Sequence, residues 1–456
     1  MRTSPCLYTF LLLSVFSFSC KKSSFLNANP DQSLLVPGTL PDCQALLDDD
    51  RVINGFGNSG YPSLGETGSD DYTVSPEQYG AYSAIDQQAV IWARTIYTSG
   101  EVNDWDLPYR VVYTANVVLT ALDNINPGDN QLTTWKNIRG SALFYRAFAF
   151  YQLAQIFAPT YDSSTAGTDW GLPLRLSADA NEQLSRATVQ QTYDRILQDL
   201  SNARTLLPKD TLGFPTRPSR AAVYGLLSRV YLSARDYHLS LLYADSCLQL
   251  QHALMNYDTI STTALFPFNR FNSEVIFSAA YFSSGPSATY KSYVDSFLLQ
   301  SYQTDDLRKK LFFKFGNYFF GRYDQEGYNF SGIATDEMWL TRAECYARAG
   351  NTTDAMNDLN NLLQTRWAAG AFIPYTATDA NDALQQILLE RRKELLFRGT
   401  RWTDLRRLNK DTRTALALTR TVNNVAYTLP PGDPRYVYAI PDNVLSFNPG
   451  MPQNQR

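Results

Sequence analysis

Histidine is nearly missing from this chain. Two, His238 and His252, occur in 456 residues. That leaves little room for histidine-based metal binding or acid–base chemistry. Cysteine is scarce too. Beyond the N-terminal segment only Cys43, Cys247 and Cys345 remain, widely spaced. Three such thiols make no disulfide framework. Without a CxxC pair they offer no thiolate zinc site, so they read as buried free cysteines. Positive charge is not in excess: 40 Lys and Arg stand against 44 Asp and Glu, a net charge of −4. The basic footprint of a nucleic-acid binder is absent. No apolar run reaches transmembrane length. The signatures GxxxxGK[ST], HExxH and GxSxG do not occur. GxGxxG does, at Gly55–Gly60. Pro62 and a further Gly/Ser-rich run follow it, with no strand–helix–strand unit around it, so it reads as a flexible loop. Composition thus points to no catalytic class, no metal and no cofactor.

What is present begins with a targeting segment. Arg2 precedes the short apolar run Leu7–Phe18, which ends at Ser17-Phe18-Ser19-Cys20. This pattern resembles a bacterial lipoprotein signal, with residues 1–19 removed and Cys20 lipidated. The lipid on Cys20 would then be the only membrane anchor. Residues 20–40 are polar, with Pro30 and Pro37, and read as a tether. Residues 41–456 read as one domain, mainly α. Within it, about 50–108 and 256–333 are loop-rich, and residues 54–71 in particular read as one long loop.

Between these stretches the apolar spacing is helical. Tyr109–Ile125 and Trp135–Phe157 read as long helices, the first starting after Pro108. Thr188–Leu207 reads as another. Ser219–Leu250 and Thr335–Thr365 form an internal repeat at a constant offset. Tyr231 then matches Tyr346, Asp236 matches Asn351, and Ser240 matches Ala355. Each copy reads as a helix, a short polar turn and a second helix, like a tetratricopeptide pair. Leu389–Leu408 reads as a helix, a left-handed stop at Gly399, and a second helix from Trp402. Its leucines, with Phe397, form the apolar face. Glu390, Arg391, Arg392, Lys393 and Glu394 crowd the other faces. Asp48–Asp50 and Asp70-Asp71 read as solvated acidic patches, because the alternating pattern of a calcium loop is missing.

Aromatics are plentiful, with 29 Tyr, 25 Phe and 7 Trp. Those at helical spacing, such as Phe144, Phe148 and Tyr151, read as core. Those in loop-rich stretches are candidates for ligand contact, since loops on a rigid scaffold carry recognition. Trp105, beside Asn103 and Asp104, has the make-up of a sugar platform. An indole face can take the apolar face of a pyranose while amides and carboxylates bind hydroxyls. Trp92, Tyr72, Tyr281, Tyr290 and Tyr318 are further candidates. Asn317–Tyr323 has an alternative reading as a strand of a small sheet.

Several segments resemble the SusD/RagB family of outer-membrane nutrient-binding lipoproteins, in the family's order. They are Lys21–Leu47, Trp135–Phe157, Asp336–Trp367, Leu389–Leu408, and Tyr438–Pro441 with Asn448-Pro449-Gly450. The resemblance implies a SusD-like fold, with tetratricopeptide-like helix pairs framing a variable region of minor β structure. It implies a cell-surface outer-membrane lipoprotein that captures glycan for a SusC-like TonB-dependent transporter. A peptide ligand, a surface hydrolase and a purely scaffolding protein are the alternatives. The shared motifs are scaffold and carry no ligand site with them. Lys21–Ser24 lacks the acidic residues often linked to surface export.

Overall fold

The computed structural model describes residues 37–456, apart from 58–59, 98–101, 180 and 210–212. Cys20 and most of the tether lie outside the described residues. The first helix, Leu40–Leu47, starts from a capping box in which Thr39 and Asp42 exchange hydrogen bonds, satisfying two otherwise orphaned donors. It lies against the long helices Asn103–Asp123 and Leu132–Phe157. The latter is buried along most of its length, with Phe144, Phe148 and Phe150 fully enclosed. A helix apolar on every side belongs at the centre of a core.

The repeat is realised as two helix pairs, Arg220–Ser233 with Tyr237–Leu250 and Thr335–Arg348 with Thr352–Leu363. The second helix of each pair starts from equivalent residues. Asp236 (φ −83, ψ 80) and Asn351 (φ −87, ψ 76) each accept the backbone N–H three residues on, the ordinary geometry of an N-cap. Ser240 and Ala355 are small and fully buried where the helices meet. Cys43, Cys247 and Cys345 are buried free thiols.

Three expectations need correction. The helix expected from Tyr109 starts at Asn103 and carries Pro108 inside it. Only the bond to Asp104 O, four residues back, depends on the missing proline donor, and the first turn is closed before it by Trp105 and Asp106 N–H to Val102 O. Next, 54–71 is not one loop, because Leu64–Gly68 is a buried helix. Asp104 accepts the N–H groups of Ser63 (2.5 Å) and Leu64 (2.8 Å) at its start, so a distant carboxylate supplies the cap. Gly55 and Gly60 before it are held tightly. A Cβ on Gly55 would stand 2.4 Å from Ala280 O, and Tyr61 exchanges backbone hydrogen bonds with Ala280 and Phe282.

The third correction concerns Leu389–Leu408. The helix ends at Glu394, Phe397 (φ 55) and Gly399 (φ 71) turn the chain, and Arg401–Leu408 follows. Leu395, Leu396 and Phe397 are buried as expected, but the rest of the amphipathic reading fails. Leu389 is 39% exposed, whereas Glu390, Lys393 and Glu394 are buried to 2% or less. Glu394 accepts from Arg308 (3.0 Å) and Arg366 (2.8 Å), and Glu390 from Arg308 (2.6 Å) and Lys393 (2.7 Å). Asp70 and Asp71 are drawn in as well, by Arg401 (2.7 Å) and Arg392 (2.9 Å). They are no solvated patch. Buried charges persist only when paired in this way.

The loop-rich middle is stitched by two-stranded pieces. Val275–Phe277 pairs with Ile333–Ala334, Ala280–Tyr281 with Asn329–Phe330, Tyr72–Thr73 with Tyr293–Val294, and Phe313–Lys314 with Tyr318–Phe319.

Candidate functional site

The strand pairs Tyr72–Thr73/Tyr293–Val294 and Phe313–Lys314/Tyr318–Phe319 are joined by the bond from Val294 N–H to Asn317 O, 2.9 Å. Alternation along the strands sorts their side chains. Tyr72, Val294 and Phe319 point into the core, while Tyr293 and Tyr318 are left on the outer face. Their rings lie 4.8 Å apart. Tyr290 reaches the same face, 5.2 Å from Tyr318, 5.9 Å from Phe315 and 5.2 Å from Phe320. Phe320 is buried and forms the floor. The result is a shelf of three tyrosines and Phe315.

Two features separate this shelf from ordinary packing. Its rings are open to solvent: Phe315 is 69% exposed, Tyr290 47% and Tyr293 37%. Phe315 (φ 51) and Tyr290 (φ 62) also hold left-handed backbone. For a bulky side chain that conformation costs about 1–2 kcal/mol. Glycine would occupy either position more easily, and the core gains little from rings so exposed. The Tyr318 phenol is held above its ordinary value, first by its hydrogen bond with the Tyr293 hydroxyl and then by partial burial. The Tyr318 phenol therefore stays protonated at neutral pH, and beside the Tyr293 hydroxyl it offers a ligand neighbouring polar groups. Flat rings with paired hydroxyls suit a sugar ring and its edge hydroxyls.

The candidate residues divide between shelf and core. Tyr290 and Tyr318 are brought together on the shelf. Asn103 is exposed at the first turn of its helix. The structure corrects the other four. Trp105 is 4% exposed, its ring 4.8 Å from Tyr109 and 4.9 Å from Phe157. It is buried because the helix begins before Pro108 and turns that position inward. Trp92 is buried beneath Arg420, 4.9 Å from its ring, and donates Nε1–H to Gly68 O at 2.8 Å. Tyr72 is buried, donates to Thr67 O, and also lies under Arg420. Tyr281 is buried and donates to Phe397 O at 3.2 Å. None of these rings has a free face. Tyr293 and Phe315 escaped sequence reasoning. The available signal was Phe315-Gly316 between two aromatic pairs, the pattern of a hairpin tip.

Other titratable groups lie away from the shelf. Glu66 is buried and its acid is pushed up to about 8, by burial first and then by Asp71. Burial raises Asp104 to about 6, against the pull of the Leu64 and Ser63 N–H groups. Glu274, Asp336 and Glu394 bring oxygens within 4.8 Å of one another. Cations already meet them, Arg366 for Glu274 and Glu394 and Arg398 for Asp336. This trio is the centre of the buried ion network. Among the described residues no helix is long and apolar enough to cross a membrane.

Comparison with known proteins agrees with this architecture. A family model described as starch-binding associating with outer membrane matches residues 24–232. The SusD family model matches residues 321–456. SusD-like protein P2 from Formosa agariphila is 27% identical over 146 residues, 31% of this chain. The chain spans 26% of the length of that curated relative. A SusD superfamily protein from Bacteroides thetaiotaomicron superposes with a TM-score of 0.73 at 20% identity, covering 92% of this chain and 100% of its own. A SusD-like carbohydrate binding protein from Bacteroides vulgatus gives 0.68 at 21% identity, over 91% and 98%. Surface glycan-binding protein A from Bacteroides fluxus gives 0.67 at 18% identity, over 92% and 99%. These likenesses establish the fold, and the two family models between them take in more than half of the sequence, so the chain belongs to the SusD/RagB family, with its mainly α, SusD-like architecture.

Proposed function

We propose that this chain is a non-catalytic, lipid-anchored surface protein that captures a glycan on the Tyr290–Phe315–Tyr318 shelf. It then hands the glycan to a SusC-like TonB-dependent transporter in the outer membrane. One observation carries the reading: exposed rings gathered on one hairpin face, two of them on backbone that costs free energy to hold. The carbohydrate-binding and glycan-binding relatives support the ligand class. Anchoring through Cys20 would hold protein and transporter in one membrane, so a modest affinity at the shelf is enough for transfer.

Phe315→Gly tests the shelf. It relieves strain of about 1–2 kcal/mol, partly offset by the extra chain entropy of glycine, about 0.5–1 kcal/mol. The melting temperature should hold or rise while binding on a glycan array falls. Unchanged binding would remove the shelf from consideration. The anchor is tested in cells, where Cys20→Ser should release the protein from the outer-membrane fraction while the transporter stays there. Retention of the variant in membranes that lack the transporter would refute lipid anchoring at Cys20.

A further inference from the structure

Of the seven tryptophans, Trp170 alone has no ring or cation stacked on its indole among the described residues. Trp105, Trp367 and Trp402 face other rings. Trp92, Trp135 and Trp339 lie beneath guanidiniums. Trp170 is 48% exposed. It lines a groove of ≈ 640 Å³ with Asp169, Asn409, Lys410, Asp433 and Tyr436. That volume falls within the range of about 300–1,000 Å³ usual for ligand sites. None of the groove's residues belongs to the shelf.

The backbone beneath Trp170 is rigid. Trp170 bridges to Thr188. The buried Arg186 donates to Trp170 O and Gly171 O, each at 2.8 Å, and to Pro452 O at 3.1 Å on the opposite wall. A Cβ on Gly171 would come within 2.3 Å of Thr192 Oγ1, so the close approach requires glycine. A large apolar ring is thus fixed at the mouth of a groove and left bare. Binding sites place anchors in this way, because a preorganised ring loses little entropy on contact.

The groove's lining carries two cations, Arg406 and Lys410, and two anions, Asp169 and Asp433. Arg406 gives its N–H groups to Gln155 O, Ala158 O and Thr160 Oγ1, capping the helix that ends at Phe157. Lys410 pairs with Asp162 at 3.2 Å, and Asp433 with Arg435 at 2.8 Å. Asp169 accepts from Thr165 at 2.6 Å. With both signs equally represented and each group already hydrogen-bonded, the lining has no excess charge to draw an ionic ligand. The side-chain hydrogen-bonding capacity left over is neutral. The Tyr436 hydroxyl interacts with the neighbouring Asn409 side chain, the Tyr436 hydroxyl and Asn409 Nδ2 have no other hydrogen-bond partner among the described residues, and Tyr436 is 5% exposed. A ligand hydroxyl at this wall can use the hydrogen-bonding capacity that one contact leaves.

We propose that the Trp170 groove is a second carbohydrate site, for one or more neutral sugar residues. The indole stacks on the pyranose face, while Asn409 and Tyr436 meet its hydroxyls. The inference rests on the glycan-binding reading above. Two separated sites on one rigid body engage a polymer together, so long chains gain affinity that short ones do not.

The test reads Trp170 directly. The full chain is labelled with 5-fluorotryptophan, and the Trp170 fluorine resonance is assigned by its loss in Trp170→Phe. Two oligosaccharide pools are added in turn, one of neutral hexose and pentose oligomers and one of sulfated and uronic-acid oligomers. The neutral pool should shift the Trp170 resonance, both in the wild type and in a Tyr290→Ala/Phe315→Gly variant without the shelf. Trp170→Ala should lower affinity for the long members of the best-bound series by roughly tenfold, with the short members on the shelf unaffected. No shift with the neutral pool, or a shift with the charged pool alone, would overturn the proposal and leave the shelf reading intact. A shift that vanishes with the shelf variant would show that the groove is no separate site. If the groove responds while the shelf variant binds short oligomers as the wild type does, the shelf reading fails and the groove stands.

Discussion

Replacing Glu394 with alanine should destabilise the protein without touching ligand affinity. Its carboxylate accepts from Arg308 at 3.0 Å and Arg366 at 2.8 Å, and both guanidiniums are wholly enclosed. Arg308 would keep Asp306 and Glu390, and Arg366 would keep Glu274. Each cation thus loses one charge-assisted bond and stays paired. Two such bonds are worth about 1.5–3 kcal/mol apiece. Breaking a buried pair from one side typically costs about 3–5 kcal/mol. The two routes meet near 4 kcal/mol. Unfolding entropy of about 2.1 cal/mol/K per residue gives a chain of this size roughly 0.9 kcal/mol/K, so the midpoint should drop by about 4–5 °C. Scanning calorimetry measures the drop, and titration with the best glycan from the array measures affinity. Leu389→Ala, on the exposed side of the same helix, is the control and should stay within about 0.5 kcal/mol of wild type. A midpoint within a degree of wild type would refute the weight given to this network. Lost affinity at unchanged stability would make the helix a binding element.

Trp105→Ala should lower stability by about 3–5 kcal/mol, as removal of a large core ring does, and leave glycan affinity as it was. A selective loss of affinity would reopen Trp105 as a ligand contact. Glu66 makes stability depend on pH. Burial raises its acid from an ordinary 4.5 to about 8. Between those values the folded chain holds a proton that the unfolded chain has released, so stability falls as pH rises. In Glu66→Gln that loss is absent, and the melting advantage of the variant should widen from pH 5 to pH 8. A constant or narrowing difference would contradict the assignment.

The scaffold was legible in the sequence because its signals are local. The caps at Asp236 and Asn351, the small residues at Ser240 and Ala355, and the turn at Gly399 each declare themselves within a few positions. Helix periodicity located the helix ending at Phe157 for the same reason. The charges of Glu390–Glu394 misled because their burial depends on Arg308 and Arg366, far away in sequence. Local hydropathy cannot report a partner that arrives from another segment. Trp105 misled through one wrong helix boundary, since Pro108 was read as a start signal. Once the helix begins at Asn103, its periodicity places the indole inward. The shelf was half visible. Tyr290 and Tyr318 stand out as loop aromatics, and Phe315-Gly316 reads as a hairpin tip, but nothing local announces that Tyr293 and Phe315 share a face with them.

The strands beneath the shelf have a consequence for the order in which this protein matures. Tyr72–Thr73 reaches Tyr293–Val294 across more than two hundred positions of chain, and only then is the Phe313–Phe319 hairpin fastened through Val294. Helix pairs close short loops and form early, whereas contacts between distant segments wait for the rest of the chain to be ordered. The shelf is therefore among the last parts to be completed. A nascent, truncated or partly unfolded copy would contain every shelf residue up to its last one and still present no shelf. A completed shelf is a certificate that the whole body has folded.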